Sequence, residues 1–283
     1  MNDVPEFAAS AALASVWRWM PHTGSTNEDL SVLARASDSA DAPDFTVFAT
    51  DDQRAGRGRL GRDWVNHAGG SLAASVLIRP RTPSGRALSP TSWGWYPLLA
   101  GLAMTRALAG LLPRAQDARL KWPNDVLIET PDGTRKVCGI LCELVTDASG
   151  EVVVVVGSGI NLTLTRDELP VETATSLHLV GASATDVDTV LSSYLAELRR
   201  VTRVFEAAEG DAVASGLRDD VIHECDTLGR RVRVDLPDGS ELMGTAESLD
   251  SEGQLVVALD SPANRAGERI SVSSGDVTHV RVV

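Results

Sequence analysis

Apolar and polar residues alternate over residues 15–20, the two-residue rhythm of a strand with one face buried. An alanine-rich stretch at 6–14 precedes it and reads as a short helix. After the strand comes Thr23-Gly24-Ser25-Thr26-Asn27, and Glu28 stands three residues beyond Ser25. That spacing is a capping box, so a helix is predicted from there towards Ala36. Residues 45–49 and 71–78 read as strands, and 93–112 as a long, mostly apolar helix packed on a sheet face. Residues 125–129 and 136–146 follow as strands parted by Pro131-Asp132-Gly133, and a turn at 147–150 leads into the β-branched run EVVVVV at 151–156. This predicts an antiparallel meander inside an α/β domain. Helices are predicted at 186–208 and 212–222.

Beyond Asp226 the pattern shortens. Alternating segments at 231–236, 242–249, 255–259 and 269–272 are punctuated by Pro237-Asp238-Gly239, Ser251-Glu252-Gly253 and Ser274-Gly275. Short strands at this spacing suggest a small barrel, with domains at 1–224 and 225–283. There are no internal repeats.

Composition narrows the class. The chain has 283 residues, 43% hydrophobic and 23% charged, enough for a real core. A net charge of −13 repels nucleic-acid backbones unless a basic face is segregated. Cys138, Cys142 and Cys225 are odd in number and lack a zinc-type arrangement, which reads as buried thiols in a reducing compartment. The first residues lack a secretory pattern, and the longest apolar stretch, 96–112, is broken by Thr105 and Arg106. The expectation is a soluble, cytoplasmic protein.

The candidate chemistry lies in four segments. DQRAGRGRLGRDW at 52–64 combines Gly56, Gly58 and Gly61 with Arg54, Arg57, Arg59 and Arg62, forked cations suited to carboxylate and phosphate oxygens. It is no P-loop, and its GxGxxG spacing opens no helix, so the dinucleotide reading is weak. An arginine-glycine RNA contact is the bland alternative, though this loop is short and flanked by strands. Lys121-Trp122-Pro123-Asn124-Asp125 offers a cation beside a carboxylate able to hold magnesium, or a plain surface ion pair. In Lys136-Val137-Cys138-Gly139-Ile140-Leu141, alternation puts Lys136, Cys138 and Ile140 on one face, and the interior glycine suggests close approach of a ligand or backbone. Gly157-Ser158-Gly159-Ile160-Asn161 reads as two glycines ending a buried strand, leaving room for a flat group or simply a loop.

Taken in this order, with TGSTN at 23–27, the segments resemble the catalytic domain of the biotin protein ligases over roughly residues 15–180. The resemblance implies a mixed β-sheet flanked by helices, of class II synthetase type, followed by an SH3-like domain. Many bacterial members carry an N-terminal winged helix; here only about two dozen residues precede TGSTN, so a ligase that binds no operator DNA is expected. Lipoate and octanoate ligases share the fold and remain an alternative, as does a non-catalytic RNA-binding module.

The resemblance further implies a two-step reaction: biotin and ATP give biotinyl-5′-AMP, and a lysine of a biotin carboxyl carrier domain then takes the biotinyl group. ATP and Mg²⁺ are the implied cofactors. Carried over by motif, Ser25, Thr26, Asn27, Gln53, Gly56, Arg57, Gly58, Arg59, Lys136 and Gly139 hold biotin. Arg57, Arg59, Trp64, Asn124, Lys136 and Asn161 hold the nucleotide. Lys136, Arg59 and Asp125 are the expected catalytic set, with Asp125 as metal ligand. A homodimer through sheet edges is left open.

Overall fold

The structure, a computed structural model, describes residues 7–236, 239–261, 265–273 and 276–279. The first six residues and the turn positions Pro237, Asp238, Ser274 and Gly275 lie outside the described residues.

Seven strands form a mixed sheet: β1 (Val16–Trp19), β2 (Thr46–Thr50), β5 (Ser71–Ile78), β6 (Ala118–Lys121), β7 (Asp125–Thr130), β8 (Gly133–Thr146) and β9 (Val152–Asn161). They lie in the order β1-β2-β5-β9-β8-β7-β6, parallel only between β1 and β2. The antiparallel meander is present, with β6 as a further strand the sequence pattern missed. Between β2 and β5 the arginine loop folds into a ribbon of β3 (Gly56–Arg57) and β4 (Asp63–Trp64), its tip a 3₁₀ turn over Arg59–Gly61.

Helices cover both sheet faces. On one side lie α1 (Ala8–Leu13), α3 (Tyr96–Ala109), α4 (Val187–Ala207) and α5 (Leu217–Glu224), sharing a core of Leu99, Leu102, Leu120, Ile140, Val156 and Leu195. The expected helix at 93–112 is divided: Pro90–Trp95 is a 3₁₀ segment, and α3 starts where Pro97 fits the first turn. On the other side α2 (Thr26–Ala36) buries Leu30 and Ala34 against Phe48, Leu77, Val145 and Val155. Ser25 caps α2, its hydroxyl accepting from the Glu28 amide at 3.4 Å.

After α5, Cys225 bridges to Leu120 and covers part of the β6 edge. The chain then builds a second, antiparallel sheet from β10 (Arg231–Asp235), β11 (Glu241–Leu249), β12 (Leu255–Ser261), β13 (Arg269–Val272) and β14 (Asp276–His279), in the order β13-β12-β11-β10-β14. Its Ser251–Gly253 turn docks on the first domain: the indole N–H groups of Trp95 and Trp122 donate to the Ser251 and Gly253 carbonyls at 2.9 and 3.0 Å. These short links fix the small sheet to the wall of the large one.

Candidate active site

Two features of the sheet prepare the site on its α2 face. The first is a bulge. Leu127 pairs with Lys136 but Val126 pairs with Cys138, so Val137 is an extra residue in β8. Val137 and Cys138 both enter the core, and the strict alternation expected from the sequence is broken. Lys136 therefore shares a face with Gly139, not with Cys138, and its ammonium points over the sheet into the site.

The second is a set of glycines with neighbours pressed against them. Gly157 and Gly159 do not end β9; the strand runs through them, pairing with Leu141 and Gly139 of β8 and with Ser75 and Ala73 of β5. A Cβ at Gly157 would collide with the Asn27 side chain, and one at Gly159 with the Trp64 indole. At Gly139 it would meet Trp64 at 3.1 Å and the Lys136 ammonium at 3.0 Å. The close approach expected at these glycines is made, in this structure, by the protein's own side chains.

The arginine ribbon is stapled to the chain before α2: the Arg54 and Ala55 amides donate to the Thr23 and Gly24 carbonyls, both at 2.8 Å. It thereby roofs the start of the helix. Leu60 at its tip holds a left-handed conformation (φ 56°, ψ 36°) that usually favours glycine, followed by Gly61 at φ 71°.

Beneath the roof lies a cavity open to solvent. Ser25, Thr26, Asn27, Gln53, Arg57, Gly58, Arg59, Trp64, Asn124, Asp125, Lys136 and Gly139 all line it. Two expected residues do not. Gly56 lies behind the lining, where a Cβ would strike Gln53 and the Trp64 carbonyl. Asn161 is buried, its amide donating to the Thr175 carbonyl at 3.0 Å.

One end of the cavity is a neutral polar network. Gln53 Oε1 accepts from the Thr26 amide at 2.9 Å and from its hydroxyl at 3.2 Å. Ser75 Oγ sits between Thr26 Oγ1 at 2.7 Å and Asn27 Oδ1 at 2.6 Å. Both Asn27 amide hydrogens are used, on the Leu141 carbonyl at 3.1 Å and Glu143 at 2.9 Å. Asn27 thus meets a ligand only as an acceptor. Ser75 and Glu143 were missed by sequence reasoning; their one signal was strand alternation, which puts them on the same face as Ala73 and Leu141.

The other end is cationic. Arg59, Arg62 and Lys136 line it against the carboxylates of Asp63 and Asp125, while Arg57 stands nearer Asn27 and shares Glu143 with it. Carboxylates and amides of the protein hold several of these cations: Arg57 pairs with Glu28 at 2.9 Å and Glu143 at 3.4 Å, Lys136 with Asp125 at 2.7 Å, and Arg59 donates to Asn124 at 3.1 Å. Lys136 also stands 5.6 Å from the Trp64 ring centre, a cation–π distance. The Trp64 indole N–H is buried against Gly159 with no hydrogen-bond partner. Past the Arg59–Asn124 contact a second cavity opens, walled by Trp122 and by Glu252, Gly253 and Gln254 of the C-terminal sheet. The arrangement suits a ligand with neutral hydrogen-bonding groups at one end and an anionic group at the other.

Comparison with known proteins agrees with this geometry. The pattern of the biotin/lipoate A/B protein ligase family matches residues 19–161, and that of the biotin protein ligase C terminal domain matches residues 227–280. The chain belongs to the biotin/lipoate A/B protein ligase family. Within this family it is 37% identical over 272 residues to the biotin–[acetyl-CoA-carboxylase] ligase of Mycobacterium tuberculosis, covering 94% of this chain and 91% of that one. The bifunctional ligase/repressor BirA of Escherichia coli is 30% identical over 209 residues, 74% of this chain and 60% of that protein. In fold, the chain is similar to the biotin protein ligase of Aquifex aeolicus solved with biotin and ATP, at a TM-score of 0.70, 24% identity, and coverage of 94% and 100% of the two chains. No helix among the described residues of this family member is long and apolar enough to cross a membrane.

Proposed function

We propose that this chain is a biotin protein ligase that activates biotin with ATP and transfers it to a lysine of a biotin carboxyl carrier protein. The observation that carries the reading is the cavity's polarity: neutral hydrogen-bonding groups of Gln53, Thr26 and Asn27 at one end, and the cations Arg59 and Lys136 beside Asn124 and Asp125 at the other. Biotin has that same division, a ureido ring at one end and a carboxylate at the other. The 37% identity to a named biotin–[acetyl-CoA-carboxylase] ligase supports it.

In the first step both reactants are anions, and the barrier falls when fixed cations offset their repulsion and align them. Lys136, set on the site face by the bulge, stands where the carboxylate meets the α-phosphate, and Arg57 and Arg59 close from above. Glu28, Glu143 and Asp125 occupy these cations until substrate oxygens replace them. In the second step the carrier's lysine attacks the acyl carbon and AMP leaves.

Magnesium fits the donor set as a companion of the triphosphate. Asp125 and Asp63 are the lining carboxylates, and among the described residues no group of three or more acidic, histidine or cysteine side chains forms a metal cage. One or two carboxylates with phosphate oxygens is the usual magnesium environment, and the ion supplies charge neutralisation there.

The test is incubation with Mg·ATP, an apo carrier domain and either biotin or lipoate, read by intact mass. Biotin addition is expected. Lipoate addition without biotin addition assigns the chain to the other branch of its family, and RNA affinity without pyrophosphate release removes the enzymatic reading altogether.

A further inference from the structure

Asn161 belongs to the motif segment at 157–161 yet lines neither cavity of the site. It is the last residue of β9, buried, with its side chain aimed at a strap of later residues. The Asn161 amide donates to the Thr175 carbonyl at 3.0 Å, and the Asn161 carbonyl accepts from the Leu177 amide at 3.1 Å. Ala174, Thr175 and Ser176 are buried with it. One residue thus fastens the strap to the end of the strand by two bonds.

The strap in turn pairs Lys136. β9 accompanies β8 only as far as the Cys138–Ile160 pair. At Lys136 the strap takes over, in a parallel bridge through Ala174. The Lys136 amide donates to the Thr173 carbonyl and the Lys136 carbonyl accepts from the Thr175 amide, both at 2.8 Å. Lys136 stands beside the bulge at Val137, where the ladder with β7 is interrupted and regular register no longer fixes a side chain's direction. The two bonds to the strap supply that direction, and Asn161 holds the residue that makes one of them. We propose that Asn161 is a positioning residue for Lys136, acting through Thr175 and not through contact with the nucleotide. Without its amide the Thr175 carbonyl is left buried and unpaired, the strap loosens, and the Lys136 ammonium loses its placement. A misplacement of about 1 Å costs a reacting site on the order of 100-fold.

The proposal rests on the adenylation role given to Lys136 above, so one arm of its test needs no catalysis. Asn161→Asp keeps the shape and turns the donor into an acceptor. Asn161→Ala removes the donor without adding charge, so a folding defect peculiar to one variant leaves the other to decide. In the full chain without substrates, amide exchange at Lys136 and Thr175 should quicken about ten-fold or more, while Glu143, paired with β9 in the same strand, stays within about two-fold of the parent. In the second arm, biotin-dependent pyrophosphate release should show kcat lowered about ten-fold or more, with KM for biotin and for ATP within about three-fold. Added to Lys136→Ala, the same variants should cost less than about a further three-fold, because the group they position is gone. Unchanged exchange at Lys136 overturns the proposal. So does a loss of equal size in both backgrounds, or a raised KM for ATP at the parent's kcat, the signature of direct nucleotide contact. Quickened exchange in a chain whose parent releases no pyrophosphate defeats the ligase reading and leaves the Asn161–strap assignment standing.

Discussion

The Lys136 ammonium and the Asp125 carboxylate meet at 2.7 Å across neighbouring strands, and the bulge at Val137 is what turns the lysine towards that meeting. Both side chains are partly exposed, so as a surface-type pair they add about 0–1 kcal/mol to stability. Replacing Lys136 by alanine is expected to leave the thermal midpoint within a few degrees of the parent. Adenylate formation should fall on the order of 100-fold or more, as loss of a fixed charge at a developing anion does. Biotin-dependent pyrophosphate release, measured beside thermal melting, checks both halves.

Gly157→Ala is expected to damage stability and binding together. The new methyl would press on Asn27, whose amide is locked by Ser75, Leu141 and Glu143 and has nowhere to retreat. Overpacking of this kind costs about 1–3 kcal/mol. Urea denaturation and biotin titration calorimetry should both register the loss; a silent substitution would mean that Asn27 is loosely held.

Glu206 gives a pH signature remote from the site. Burial, with the nearby Asp44 charge, pushes its carboxyl up to about 8. A raised folded value means the folded chain binds the extra proton, so stability should decline as pH rises from the ordinary carboxylate range through about 8. Glu206→Gln should flatten that part of the profile, read as urea midpoints between pH 5 and pH 8.

The arginine ribbon should gain order with substrate. Its cations are held by Glu28, Glu143 and Asn124, contacts that oxygens of an acyl-adenylate would replace with stronger ones. Amide exchange over residues 54–62 is expected to slow at least several-fold on adding biotin with Mg·ATP. Equal exchange in both states would remove any gating role for the loop and leave it a fixed roof.

Much of the fold was legible from local pattern. The Ser25–Glu28 cap, the strand at 71–78 and the PDG and DASG turns are written in neighbouring residues, and the motif segments named nearly all of the cavity lining. What pattern could not carry were features set by partners far away in sequence. The bulge at Val137 exists because β7 pairs on both sides of it, so no count along β8 alone predicts where Lys136 points. Gly157 and Gly159 looked like a strand's end because their cost is local and their use is not: Asn27 and Trp64, more than ninety residues away, fill the space they leave. Asn161 sits in a motif yet faces Thr175, since the last residues of β9 turn under the Gly70 and Thr175 segments and away from the cavity. The chain's own chemistry, arginines clustered in one loop and two lysines in all, is written in the sequence; which of those charges face one another was decided by strand register.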